Sequence, residues 1–70
     1  MVMQAVSSSV IAALGYDADR ALLLVRFTSG KLYRYREVPE AEFDALVNAG
    51  SIGSYYNRRI RDAFPYEEVA

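Results

Sequence analysis

The strongest constraint in the sequence is an apolar run that a short turn separates from an alternating aromatic and basic run. The first run covers residues 21–27, and the second covers residues 31–38, where aromatic and basic side chains alternate. Between them lie Thr28, Ser29 and Gly30, and glycine adopts without steric penalty the left-handed conformation that a three-residue hairpin loop requires. The sequence therefore predicts an antiparallel hairpin, with Gly30 at the left-handed position and a bulge there.

A three-residue loop also determines which side chains share a face of the hairpin. It places Val25 opposite Tyr33. It likewise places Leu23 opposite Tyr35, and Phe27 falls on the same face as both pairs. A two-residue loop would shift the register by one residue and mix the two sets of side chains. The opposite face, called the outer sheet face below, carries Leu22, Leu24, Arg26, Leu32, Arg34 and Arg36.

One strand is predicted before the hairpin. Residues 10–16 form an apolar run that fits a strand or a short helix, because periodicity does not separate the two at this length. Gly15 and a polar cluster at residues 17–20 follow at turn spacing, which favours a strand.

Two short helices are predicted after the hairpin. Residues 39–49 begin with a proline, contain apolar side chains at helical spacing and are followed by Gly50, a frequent helix end. Either Ser51 or Ser54 then caps a second helix that runs to about Asp62.

These elements combine into one small α+β domain of the order β-β-β-α-α. A three-stranded antiparallel meander is predicted to carry both helices on the face of Tyr33 and Tyr35. Residues 1–7 are expected to form a flexible N-terminal arm, residues 8–66 the domain, and residues 67–70 a short acidic tail.

Composition excludes several classes of function. The chain of 70 residues has no cysteine and no histidine, so disulfides, thiolate metal sites and the commonest general base are missing. The carboxylates form no defensible catalytic pair. No window approaches the apolar run of about 20 residues that a membrane span requires, and the start of the chain does not resemble a signal peptide. We therefore expect a cytoplasmic protein that is not an enzyme and has no cofactor, metal or membrane partner.

The basic side chains are segregated along a chain whose net charge is only −1. Seven of the eight basic residues fall within residues 26–36 and 58–61. One interpretation is a phosphate-binding surface for RNA, mainly on the outer sheet face. The alternative is a set of ion pairs on a solvated face. The candidate nucleic-acid-binding residues are Arg26, Lys31, Arg34, Arg36, Arg58 and Arg61.

The same outer sheet face allows a second hypothesis, a protein-interaction or self-associating domain. Leu22, Leu24 and Leu32 are expected to be exposed there among the arginines, and a small domain gains stability when it associates. The hypothesis names these three leucines as candidate interface residues for a protein partner or a second copy of the chain.

The two tyrosines of the second hairpin strand also allow two interpretations. Tyr33 and Tyr35 could stack on bases of single-stranded RNA, or they could be core residues. They share a face with Leu23 and Val25, which is the face best suited to receive the helices. The core interpretation is therefore favoured.

The ordered set of motifs resembles the KTSC domain, a family named for the C-terminus of some lysyl-tRNA synthetases. The first half carries Leu23-x-Val25-x-Phe27, Ser29-Gly30, Tyr33-x-Tyr35 and Val38-Pro39. The second half carries Tyr55-Tyr56-Asn57 and Ile60-Arg61. The resemblance covers roughly residues 8–66 and departs from the family at Gly50, which is inserted beside Ala49.

The resemblance implies a stand-alone bacterial form of the domain with no enzymatic activity. RNA binding is implied only through the fusion to synthetases. The family-motif residues are expected to have structural roles; they are Tyr33, Tyr35, Asn57, Ile60 and Arg61.

Overall fold

The hairpin lies at the centre of a five-stranded antiparallel sheet in the computed structural model, which describes residues 3–70. The elements are β1 (Met3–Ala5), β2 (Ile11–Asp17), β3 (Leu22–Phe27), β4 (Leu32–Tyr35), α1 (Glu40–Val47), α2 (Ile52–Tyr55), a π-helical turn (Tyr56–Ile60) and β5 (Tyr66–Glu68). The strands lie side by side in chain order, from β1 at one edge to β5 at the other.

The predicted hairpin register is confirmed. Leu23 pairs with Tyr35, and Val25 pairs with Tyr33. Gly30 has a φ of 97°, in the left-handed region where glycine avoids the clash of a Cβ atom. The loop therefore has the three-residue form, and the apolar and basic side chains separate onto two faces of the sheet.

The predicted three-stranded meander was wrong in the number of strands. The segment expected to be a flexible arm contributes β1, in which Gln4 pairs with Leu14, while residues 1 and 2 lie outside the described residues. The end of the chain, expected to be an acidic tail, contributes β5, in which Glu67 pairs with Arg34. Each added strand is three residues long with exposed side chains, so neither carries an apolar alternation that marks a strand.

The first predicted strand is confirmed as β2, and it contains an irregularity. The register shifts between Ile11, which pairs with Phe27, and Ala13, which pairs with Arg26. A bulge of this kind adds one residue and changes the alternation of faces. As a result Ile11 and Leu14 are both buried, although a regular strand would place them on opposite faces.

Both helices are present, with shorter bounds than predicted. Pro39 has an extended backbone and precedes the first turn of α1. Ser51 caps α2, because its hydroxyl oxygen accepts a hydrogen bond from the Ser54 N–H at 3.3 Å. The second helical segment ends at Ile60 rather than near Asp62. Within residues 3–70, no helix is both long enough and apolar enough to cross a membrane.

The core lies between the sheet and the two helical segments. Phe43 of α1 stacks on Tyr16 of β2 with ring centroids 5.0 Å apart. The helices cover the face that carries Leu23 and Tyr35, as predicted. The buried core residues are Ile11, Leu14, Leu23, Val25, Tyr35, Val38, Leu46, Tyr56 and Ile60.

Truncation of a core side chain at the centre of the sheet tests this assignment of faces. Val25 is fully buried, so Val25→Ala should lower the free energy of unfolding by about 2–4 kcal/mol through lost burial and a residual cavity. Leu24→Ala, one residue earlier on the outer sheet face, should have a distinctly smaller effect. Urea unfolding followed by circular dichroism measures both, and equal losses for the two variants would contradict the assignment.

Candidate functional site

A groove lies at one end of the sheet, between the loop of the β3–β4 hairpin and the second helical segment. It encloses about 330 Å³. We call it the hairpin groove. Its lining residues are Val10, Phe27, Thr28, Ser29, Lys31, Tyr33, Tyr56, Asn57 and Arg61.

The lining of the hairpin groove combines aromatic walls with hydrogen-bond donors. Lys31 and Arg61 supply positive charge, and Asn57 supplies an amide; all three side chains are exposed, so the groove opens to solvent. Phe27 and Tyr33 form an apolar wall. Among the described residues, none that lines the groove carries a carboxylate, so the electrostatic character of the groove is cationic.

The candidate basic side chains differ in whether they already form ion pairs or hydrogen bonds within the protein. Arg34 forms an ion pair with Glu67 of β5 at 3.0 Å, between Nη2 and Oε1. Arg26 donates from Nη1 to the carbonyl oxygen of Gly30 at 3.1 Å, and Arg58 donates from Nε to a backbone carbonyl of its own helix at 3.4 Å. Part of the outer sheet face is therefore neutralised by ion pairing, as the alternative interpretation of the basic residues holds.

Three candidate cations keep their charged groups available. Within residues 3–70, no side-chain hydrogen bond or ion pair engages Lys31, Arg36 or Arg61. Lys31 and Arg61 both line the hairpin groove, whereas Arg36 follows β4 on the outer sheet face. The structure thus brings together two of the six candidate nucleic-acid-binding residues at one site and disperses the others.

The three candidate interface leucines lie on the outer sheet face, as the register requires. Leu24 pairs with Arg34, and Leu32 pairs with Arg26. These two leucines and Leu22 are half-buried rather than exposed, because side chains in the central strands are flanked by neighbours on both sides.

The family-motif residues divide between the core and the hairpin groove. Tyr35 and Ile60 are fully buried in the core. Tyr33 is half-buried, with its ring edge-on to Phe27, and it lines the groove together with the motif residues Asn57 and Arg61.

The π-helical turn brings Arg61 to the hairpin groove. An α-helix through this segment would place Arg61 nearly opposite Tyr56 on the helix surface. Instead the Arg61 N–H donates to the Tyr56 carbonyl oxygen at 2.9 Å, a bond between residues five apart. This wider turn stacks residue 61 near residue 56, so both side chains reach the hairpin groove.

A buried pair of hydroxyl groups lies behind the hairpin groove. The Tyr35 and Tyr56 hydroxyls form a short hydrogen bond between β4 and the π-helical turn. Burial raises the pKa of Tyr35, and the hydrogen bond to Tyr56 raises it further. Burial also raises the pKa of Tyr56, against the hydrogen bond from Tyr35 and the nearby Arg61 charge, which both lower it.

Tyr66 lies close to the groove residues but was not among the predicted site residues. Its ring stacks on Tyr33, with centroids 5.4 Å apart and planes 9° apart, and it also contacts Tyr35. The residue remains 52% exposed, so part of its side chain is accessible to solvent. Its aromatic character was the only available signal.

A second, polar hollow adjoins the hairpin groove through Val10 and Asn57, which line both. It encloses about 320 Å³ between the serine run at residues 7–9 and residues 50–54, which include the start of α2. Ser8 belongs to the local structure, because its Oγ accepts the backbone N–H of Ile11 at 3.2 Å.

Comparisons with known proteins agree with the motif pattern. The KTSC domain profile matches residues 7–64. A protein of Tsukamurella paurometabola is 45% identical over 62 residues, which cover 89% of this chain and 92% of that one. A lysine–tRNA ligase of Nostoc punctiforme is 34% identical over 62 residues, 89% of this chain but only 11% of the ligase. The crystal structure of a KTSC domain protein from Yersinia pestis superposes with a TM-score of 0.96 at 32% identity, covering 99% of this chain and 97% of that one.

The buried hydroxyl pair makes stability dependent on alkaline pH. The folded chain holds the Tyr35 proton to higher pH than the unfolded chain does, so the free energy of unfolding is constant at neutral pH and falls above about pH 10. The slope approaches about 1.4 kcal/mol per pH unit for each such tyrosine. Urea unfolding between about pH 8 and pH 11 measures the slope. Tyr35→Phe should flatten it, and an unchanged slope would show that this hydroxyl is not the source.

Proposed function

Because the chain belongs to the KTSC domain family, we propose that it is a non-enzymatic, cytoplasmic module that binds RNA, with the hairpin groove as its main contact surface. Three lysine–tRNA ligases, enzymes named for a tRNA substrate, contain a region similar to almost the whole chain. That similarity supports RNA as the partner class. The side chains that line the groove support the location of the contact surface.

The observation that carries the proposal is the pair of available cations in the hairpin groove. Lys31 and Arg61 line it without an ion-pair partner among residues 3–70, and no lining residue described carries an opposing carboxylate. Phosphate groups are the part of RNA that such cations contact, since each contact releases condensed counterions. A guanidinium adds planar, bidentate hydrogen bonding to a phosphate.

The aromatic side chains support a single-stranded rather than a duplex ligand. Unpaired bases stack on accessible aromatic rings, whereas a duplex keeps its bases stacked internally. Tyr66 offers such a ring, because it is half exposed and stacks on Tyr33, which lines the hairpin groove. In this proposal a base stacks on Tyr66 and a phosphate of the same strand contacts Lys31 and Arg61.

The geometry favours the groove over the outer sheet face, where the sequence predicted most of the contacts. Arg34 on that face is paired with Glu67, so an RNA phosphate must compete with a carboxylate for it. The net charge of −1 gives no long-range attraction for RNA. Binding therefore depends on the local groove, and we expect dissociation constants in the micromolar range or weaker.

A charge-matched pair of double variants tests the proposal. Lys31→Ala with Arg61→Ala removes two groove cations and should weaken binding of single-stranded RNA. It should also flatten the slope of log affinity against log salt by about 1–1.5, near 0.7 for each lost contact. The control, Arg34→Ala with Arg36→Ala, removes the same charge from the outer sheet face and should have the smaller effect. Fluorescence anisotropy across a salt series measures both variants.

Three outcomes of this experiment are informative. A larger loss in the outer-face variant would move the contact surface to the outer sheet face. Absence of any RNA complex at low ionic strength would contradict RNA binding altogether. If the chain then formed a dimer that Leu24→Asp abolished, the protein-interaction function through Leu22, Leu24 and Leu32 would replace it.

A further inference from the structure

We infer that the hairpin groove is a binding site for a phosphate group in which the buried Tyr56 hydroxyl is a fixed hydrogen-bond donor, held in place by Tyr35. The inference deepens the proposed function and rests on it for the source of the phosphate, an RNA strand. The site itself rests on the hydrogen-bonding requirements of the buried Tyr35 and Tyr56.

The burial of Tyr35 determines the direction of the hydrogen bond between the two hydroxyls. Tyr35 is fully buried, and within residues 3–70 its hydroxyl has Tyr56 as its one hydrogen-bond partner. Each tyrosine hydroxyl carries one hydrogen. If Tyr56 donated to Tyr35, the Tyr35 hydrogen would be enclosed without an acceptor, an arrangement that folded proteins avoid. Tyr35 therefore donates, and Tyr56 accepts.

The Tyr56 hydroxyl keeps a hydrogen that Tyr35 does not accept. Its oxygen accepts from Tyr35, so its own hydrogen needs an acceptor elsewhere. Tyr56 is 5% exposed and lines the hairpin groove, whereas Tyr35 does not. Arg61 lines the same groove as Tyr56. The groove therefore supplies the space in which an acceptor can reach this hydrogen.

The side chains that line the groove indicate the chemistry of the ligand. The groove presents donors of several kinds, namely the Tyr56 hydroxyl, the Lys31 ammonium, the Arg61 guanidinium and the Asn57 amide. Among the described lining residues there is no carboxylate to receive a cation or to accept from a sugar hydroxyl. Two positive charges and several donors match a group with multiple oxygens and a charge between −1 and −2. Phosphate has these properties both in the RNA backbone and at a strand end.

Tyr35 acts on the ligand only through Tyr56. Tyr35 does not reach the ligand, so it is a positioning residue. Its donated hydrogen occupies one lone pair of the Tyr56 oxygen and fixes the direction in which Tyr56 donates. The family-motif residue Tyr35 thereby acts on the groove from the core, while the motif residues Tyr33, Asn57 and Arg61 act from its lining.

The test uses the full chain and four probes at fixed ionic strength. Inorganic phosphate, a nucleoside monophosphate, and one RNA oligonucleotide with and without a 5′-phosphate are titrated by calorimetry. Tyr56→Phe should weaken binding of every phosphate probe by about tenfold or more, as expected for loss of a hydrogen bond to a charged group. A preference for the 5′-phosphorylated strand identifies a strand end as the source, and equal affinity identifies the backbone.

Tyr55→Phe is the matched control. Its hydroxyl donates to Glu42 Oε1 at 2.7 Å, outside the hairpin groove, so phosphate affinity should not change. Tyr35→Phe should weaken phosphate binding only a few-fold. In that variant the carbon-13 signal of the Tyr56 ring carbon bonded to oxygen should shift less on phosphate addition than in the unaltered chain. That spectroscopic change separates positioning from a purely structural role.

A surface variant keeps the test decisive if a buried substitution unfolds the chain. Lys31→Gln with Arg61→Gln alters exposed side chains and should abolish phosphate binding while thermal melting is unchanged. Phosphate binding that survives this variant, or that survives Tyr56→Phe in a folded chain, overturns the inference while RNA binding can still stand. Phosphate binding without any RNA complex contradicts the proposed function and leaves the phosphate site in place.

Discussion

The hydrogen bond between Tyr35 and Tyr56 connects the two halves of this small domain. It joins the centre of the sheet to the second helical segment, and both partners are buried. Its formation depends on the register of the β3–β4 hairpin, because a shift of one residue would turn Tyr35 to the outer sheet face. The Tyr56 hydroxyl would then be left against apolar side chains. The left-handed conformation of Gly30 therefore supports the hairpin register on which this packing of the core depends.

The sequence was sufficient where a pattern and a loop residue acted together. The alternation around Tyr33 and Tyr35, combined with Gly30, specified the hairpin register and the face that the helices cover. The edge strands β1 and β5 were missed because backbone hydrogen bonds hold them and their side chains remain exposed. The sequence signal of a strand is apolar alternation of side chains, and these two strands have little of it.

The candidate site was only partly predictable, for a related reason. The charges of Lys31 and Arg61 were visible in the sequence, but their convergence depends on the π-helical turn, which a regular helical period does not reveal. The pairing of Arg34 with Glu67 depends on β5, which was not predicted. Composition thus identified the cations, while irregular backbone decided which of them are available.

The position of β5 has a consequence for the order in which parts of the domain open. β4 and β5 are neighbours in the sheet, yet the connection between them covers residues 36–65, including both helical segments. The connection reaches β5 only after the packed helical segments, and a three-residue strand with exposed side chains adds little burial to hold itself in place. We therefore expect the amide hydrogens of β5 to exchange with solvent through local detachment well before the central strands open. Each detachment frees Arg34 and uncovers the ring of Tyr33, so the outer sheet face and the groove gain accessible groups in the same event.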